Sequence, residues 1–241
     1  MAVILPFEPA FYESRQMKVH YVGHPLLDVL SSAPTAEEAG KLYRPTQAQA
    51  GPCVGLLPGS RHGEIKALLP LLLKTAEILC RDFPGISFLI PLAPTVDVRL
   101  VEEEADRAGL PVRIVSGDTY GVIRACDLVI TASGTVTLES AILGTPMVVV
   151  YRLSSFTYHV ARLLVRVKYV GLANLIADRR IVPELIQKEA NAEQVAREAG
   201  DLLRSEHRLA EQRRELANIR PMLGSPGVAD RVAKLVLGLT N

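Results

Sequence analysis

The sequence predicts an α/β chain: a Rossmann-like parallel sheet followed by a helical tail. Three observations carry that prediction. From Cys53 to Tyr151, short apolar runs alternate with amphipathic stretches, the order that builds parallel sheets with helical crossovers. The composition is aliphatic, at 49% hydrophobic but only 5% aromatic residues, as suits strands buried on both faces. Two of the strand-to-helix turns, Pro58-Gly59-Ser60-Arg61 and Ala132-Ser133-Gly134-Thr135, consist of small and hydrogen-bonding residues. They fall at the strand ends where such sheets bind ligands.

The elements follow in order. Val3-Ile4-Leu5-Pro6 reads as the end of a strand already in progress. Phe7, Phe11 and Tyr12 then recur at helical spacing, and Lys18 to Val22 reads as a strand ended by Gly23-His24-Pro25-Leu26. Residues 29–52 contain a Ser-, Ala-, Pro- and Thr-rich stretch, read as a linker or exposed excursion with one short helix at most. Cys53–Leu57 is a buried strand. Glu64 to Arg81 is a long amphipathic helix that either kinks at Pro70 or starts near it. Ile86–Pro91 and Val112–Val115 are strands, with helices over Val96–Ala108 and Thr119–Ala125. Asp127–Thr131 is a strand; Leu138, Ala141, Ile142 and Leu143 are spaced for one face of a short helix ended by Gly144-Thr145-Pro146, and Met147–Tyr151 closes the sheet. Phe156 to Tyr169 is apolar with interleaved cations and no acid. It reads equally as a basic helix on an anionic membrane surface and as a helix packed on the sheet. Leu172–Leu175 and Ile181–Gln187 read as loops and short turns, and Ala192–Leu239 as helices laced with Arg and Glu.

Bulk properties exclude several classes. A net charge of +1 gives no electrostatic footprint for nucleic acid. The three cysteines, Cys53, Cys80 and Cys126, have no metal-ligand spacing and read as packing residues of a reduced, cytosolic chain. No apolar run reaches the roughly 18 residues of a membrane span. A P-loop lysine pattern and a G-x-G-x-x-G fingerprint are both absent, which argues against a P-loop NTPase and a dinucleotide dehydrogenase. No Asp-x-Asp pair stands ready to hold a divalent metal.

The two turns carry the chemistry. Ser133-Gly134-Thr135 places backbone N–H groups at a helix N-terminus, a ready anion site. The bland alternative is a simple cap with Glu139 in solvent. In the second turn, Gly59 admits close approach, Ser60 supplies a hydroxyl and Arg61 a fork that matches phosphate. Together they suggest a diphosphate held from two sides, its charge met by arginine and helix dipoles rather than a metal. Glu139 is spaced to accept hydrogen bonds from a sugar hydroxyl pair. His24, extended by the following proline, is read either as a phosphate contact or as a local backbone cap.

In Leu5-Pro6-Phe7-Glu8, Gly23-His24-Pro25-Leu26, Leu57-Pro58-Gly59-Ser60-Arg61, Ala132-Ser133-Gly134-Thr135, Thr137-Leu138-Glu139 and Gly144-Thr145-Pro146-Met147 the chain resembles the lipid-A-disaccharide synthases. Val167-Lys168-Tyr169, Asn174 and Ile181-Val182-Pro183-Glu184-Leu185 extend the resemblance into the final helices. These are inverting GT-B glycosyltransferases of family 19. The resemblance implies that the chain is the donor-binding, C-terminal part of such an enzyme. It would join UDP-2,3-diacylglucosamine to 2,3-diacylglucosamine 1-phosphate, releasing UDP, with no cofactor and no metal. Residues 1–28 would be a remnant of the N-terminal domain, 29–52 a linker, 53–191 the donor domain and 192–241 the tail. Gly59, Ser60, Arg61, Ser133, Gly134 and Thr135 would meet the diphosphate, Glu139 the ribose, and Asn174 the donor sugar or diphosphate, with His24, Glu184 and Gln187 as further contacts.

Arg162, Arg166 and Lys168 would face lipid phosphates at the cytoplasmic side of a Gram-negative inner membrane. The resemblance places the acceptor site and general base in an upstream domain, so the isolated chain is expected not to turn over. The arginine-rich tail would tolerate a homodimer contact and is equally explained as a solvated face. Two rival readings stand: another UDP-sugar GT-B protein, such as a peptidoglycan N-acetylglucosaminyltransferase or a UDP-sugar epimerase, or a non-catalytic nucleotide-sugar-binding module.

Overall fold

The apolar runs assemble into one parallel sheet whose strand order places a ligand crevice at its middle. A computed structural model describes residues 1–44, 51–94, 96, 98–152 and 168–238. The sheet strands are β3 (Cys53–Leu57), β4 (Ser87–Leu92), β5 (Val112–Ser116), β6 (Leu128–Ala132), β7 (Met147–Tyr151) and β8 (Glu184–Ile186). They lie side by side in the order β5-β4-β3-β6-β7-β8, all parallel. The chain therefore runs outward one way from β3, then returns to β6 and runs outward the other way. The switch falls between β3 and β6, where doubly wound sheets open a cleft beyond their strand ends.

Burial explains why these segments are strands. Every residue of β3, β4 and β6 is buried, and alternate side chains feed opposite faces. Val54 and Leu56 join a core with Leu69, Leu72 and Phe88, while Cys53 and Leu57 join a second core with Ile123, Leu138 and Leu143. Helices cover both faces. α4 (His62–Asp82) and α5 (Val98–Ala108) follow β3 and β4, and α6 (Thr119–Ala125) and α7 (Thr135–Leu143) follow β5 and β6. α4 begins before Pro70 and continues beyond it, so the reading in which the helix starts near the proline is corrected. Pro70 and Lys66, whose carbonyl loses its helical donor, both sit on the exposed side, where water can take the missing role.

Two other readings change. Met147–Tyr151 does not close the sheet: β8 pairs with it, Val149 opposite Glu184 and Tyr151 opposite Ile186. Leu172–Leu175, read as loop or short turn, belongs to helix α8 (Leu172–Ala177). The basic stretch expected to be helical lies outside the described residues except at its end, Lys168 and Tyr169.

The N-terminal segment pairs β1 (Ala2–Val3) with β2 (His20–Tyr21), flanking α1 (Glu8–Glu13). Beyond it lie α2 (Leu26–Val29), a 3-10 turn (Leu30–Ser32) and α3 (Ala36–Tyr43). α3 begins with a capping box between Thr35 and Glu38 and is tied to the sheet domain. Arg44 Nε donates to the Ala125 carbonyl at 2.6 Å and its guanidinium pairs with Asp127 at 2.6 Å.

The tail helices are α9 (Ala192–Leu203), α10 (Glu206–Ala217), α11 (Ile219–Met222) and α12 (Val228–Val236). They carry the chain back to its start: Asp28 accepts from the backbone N–H of Gly227 at 2.6 Å and of Val228 at 3.0 Å, capping α12. Arg231 Nε donates to the Val22 carbonyl at 2.9 Å. Among the described residues no helix is long and apolar enough to cross a membrane.

Candidate functional site

Both small-residue turns open into one cavity of about 590 Å³ at the carboxyl rim of the sheet. The β3–α4 turn contributes Gly59, Ser60, Arg61 and Glu64, and the β6–α7 turn contributes Ser133, Gly134, Thr135 and Glu139. Pro91 near the end of β4, Ala93 just beyond it, Gly117 and Asp118 between β5 and α6, and Thr119 and Tyr120 in the first turn of α6 complete the walls.

The β6–α7 turn is shaped for an anion. Gly134 is the N-cap of α7 at φ 156° and ψ −163°, a backbone region essentially reserved for glycine. A methyl group there would meet nothing, so conformation rather than crowding calls for glycine. Ser133 is anchored instead of free: its N–H donates to the Val150 carbonyl at 3.2 Å and its hydroxyl to the Val170 carbonyl at 2.7 Å. The N–H groups of Gly134 and Thr135 make no hydrogen bond among the described residues, and they sit at the positive end of α7. Thr137 steadies this end, its hydroxyl donating to the Gly134 carbonyl at 2.8 Å and accepting from Leu172 N–H at 3.1 Å.

The β3–α4 turn is held by a carboxylate. Gly59 sits at φ +111°, and a Cβ there would come within 2.5 Å of Glu64 Oε2. Glu64 folds back from the first turn of α4, accepting from Ser60 N–H at 3.2 Å and pairing with the Arg61 guanidinium at 2.8 Å. The Arg61 side chain remains 82% exposed.

Glu139 lies on the inner side of α7. Burial pushes its carboxyl above the usual range, because the charged form loses water. The Tyr120 phenol is raised as well, first by burial and then by the Glu139 carboxylate. Its loop is fixed from behind. Asp118 caps α6 by accepting from Gly121 N–H at 2.9 Å, and it also accepts from the Tyr43 hydroxyl of α3. Neither Tyr120 nor Asp118 stood out in the sequence. The weak available signal was a Gly-Asp-Thr turn after the third strand of the alternation.

The remaining residues singled out from sequence lie elsewhere. Asn174 is fully buried. Its amide donates to the Val182 carbonyl (2.9 Å) and Glu184 Oε1 (2.8 Å), and its oxygen accepts from Ile181 and Val182 N–H (2.7 and 2.9 Å). No hydrogen-bonding valence is left over for a ligand, and its role here is to shape the loop into β8. Glu184 also accepts from Val170 and Gly171 N–H, each at 3.0 Å, fixing the strand of chain beside Ser133. Gln187 follows β8 at φ 53° and donates its N–H to Tyr151. His24 is buried; its Nδ1 accepts from Leu26 N–H at 3.2 Å, the local cap, and burial lowers its pKa. Lys168 is exposed and contacts Asp178 at 3.3 Å, while Arg162 and Arg166 lie outside the described residues.

Comparison with known proteins fits this geometry. The family model described as "Lipid-A-disaccharide synthetase" matches residues 1–227. The lipid-A-disaccharide synthase of Geobacter metallireducens is 42% identical over 237 residues, covering 98% of this chain and 61% of that protein. That of Syntrophus aciditrophicus is 40% identical over 240 residues, covering 99% and 62%. The chain thus spans about three fifths of the length of these relatives. Among solved structures, WaaG, described as a glycosyltransferase involved in lipopolysaccharide biosynthesis, superposes with a TM-score of 0.62 at 15% identity, covering 98% of this chain and 62% of that one. The UDP-GlcNAc 2-epimerase of Neisseria meningitidis, solved with UDP-GlcNAc, superposes at 0.57 and 14% identity, covering 94% and 58%. At these identities the structures speak for the fold alone, that of GT-B glycosyltransferases and their structural kin.

Proposed function

The chain belongs to the lipid-A-disaccharide synthetase family, and from that premise we propose that it is the donor-binding part of a glycosyltransferase of lipid A synthesis. The donor would be UDP-2,3-diacylglucosamine and the acceptor 2,3-diacylglucosamine 1-phosphate. The acceptor hydroxyl attacks the anomeric carbon with inversion, the bond to UDP breaks, and UDP leaves with the electron pair. A general base on the acceptor side takes the hydroxyl proton.

One observation carries this reading: Arg61 and the N-termini of α4 and α7 line the same cavity. Negative charge grows on the departing diphosphate. A guanidinium and two helix N-termini aimed at it stabilise that charge without needing to reorganise. In this reading the diphosphate is neutralised by these groups rather than by a metal. The partly desolvated Glu139 carboxylate would take the ribose hydroxyls. Exposed Lys168, with Arg162 and Arg166, would hold the enzyme at the cytoplasmic face of the inner membrane, where its lipid substrates reside.

The base and acceptor site belong to an upstream domain in this reading, so residues 1–241 alone bind UDP but do not turn over. The test supplies both lipid substrates to the chain alone and to the chain joined to the N-terminal part of a relative such as the Geobacter enzyme. Disaccharide from the joined protein only is the expected result. Disaccharide from the chain alone would refute the division of labour, and none from either would refute the assignment.

A further inference from the structure

Glu64 sits directly against the β3–α4 turn of the cavity. Its carboxylate accepts from Ser60 N–H at 3.2 Å, reaches Arg61 N–H at 3.4 Å and pairs with the Arg61 guanidinium at 2.8 Å. These are the donors that the β3–α4 turn would offer a phosphate. Glu64 Oε2 also lies where a Gly59 side chain would be, within 2.5 Å of that Cβ position, so only glycine leaves it room. On the opposite wall the N–H groups of Gly134 and Thr135 carry no such internal partner among the described residues.

We propose that Glu64 is a specificity residue: an internal anion seated in the α4 half of the diphosphate site, which a ligand must displace to engage both turns. This rests on the diphosphate reading given above and adds a selection rule to it. A single phosphate is met at the open α7 turn and gains nothing by moving Glu64. A diphosphate reaches the α4 turn as well, replaces the carboxylate on Ser60 N–H and Arg61, and frees Arg61 to close on it. Arginine prefers phosphate oxygens that it can take bidentately, whereas Glu64 offers it one oxygen. Glu64 therefore lowers affinity for every diphosphate in exchange for rejecting ligands with less charge, the usual form of discrimination by an unfavourable element.

The variant that isolates this is Glu64→Gln. Glutamine at this helix position still reaches back to the turn's N–H groups, so the cap survives while the competing charge is gone. Titration of the 241-residue chain with UDP, UMP and uridine gives the readout. UDP binding tightens about 3- to 10-fold in Glu64→Gln, while UMP and uridine change less than 2-fold. Glu64→Ala, which empties the seat, shifts UDP in the same direction. UDP affinity unchanged or weakened in Glu64→Gln, with Arg61→Ala still weakening it, overturns the proposal and makes Glu64 a supporting cap. If Arg61→Ala also leaves UDP untouched, the diphosphate reading itself fails.

Discussion

Arg61 and Thr135, which follow different strands of the sheet, line one cavity across the switch between β3 and β6. The strand order makes this meeting unavoidable: the two central strands are neighbours, and each delivers a helix N-terminus to the same rim. In the proposed reading, a ligand with two linked phosphates spans these two ends.

Glu139 sets function against stability. Its carboxyl pKa is raised by burial, so the folded state holds the proton more tightly than the unfolded chain. The cost of ionising it in the fold is therefore present above the folded pKa and vanishes below the unfolded value. Glu139→Gln is expected to raise the melting temperature at pH 8, with the difference disappearing below about pH 4. The same variant should weaken uridine binding, which calorimetry would show. A variant no more stable at pH 8 would mean the carboxylate is not strained.

Asn174 is expected to matter through the fold. Asn174→Ala removes the partner of the Ile181 and Val182 N–H groups and of the Val182 carbonyl, all in a buried setting. Leaving them unmet should cost about 2–5 kcal/mol, read as a lower urea midpoint. Full stability with lost UDP binding would instead make Asn174 a ligand contact.

The Asp28 cap ties the tail to the N-terminal segment and should respond to pH. Backbone N–H groups of Gly227 and Val228 hold its carboxyl below the usual range. Its contribution is therefore present above the unfolded pKa and is lost as pH falls through the folded one. Asp28→Asn is expected to speed amide exchange across α12 at pH 7, with the difference shrinking as acid protonates the Asp28 carboxyl. Equal exchange at pH 7 would show that the Asp28 cap does not hold the tail.

The sequence made the centre of the sheet legible because β3, β4 and β6 are buried on both faces and announce themselves as apolar runs. The turns were legible because Gly59 and Gly134 occupy backbone conformations that other residues avoid. β8 was not, since three residues, Glu184–Ile186 after Pro183, become a strand only through pairing with β7. The resemblance offered Asn174 and Glu184 as ligand contacts; their hydrogen bonds to the loop before β8 were not legible, because only tertiary structure brings those partners near. Glu64 escaped notice because a glutamate in the first turn of a helix is ordinary; what sets it apart is the cavity it borders.

UDP titrated into the wild-type chain and into Arg61→Ala tests the central claim most directly. Loss of the guanidinium is expected to weaken UDP by about 1.5–3 kcal/mol, roughly 10- to 150-fold, and to leave uridine binding nearly unchanged. Equal UDP affinity in the two proteins would contradict a diphosphate held between the α4 and α7 turns.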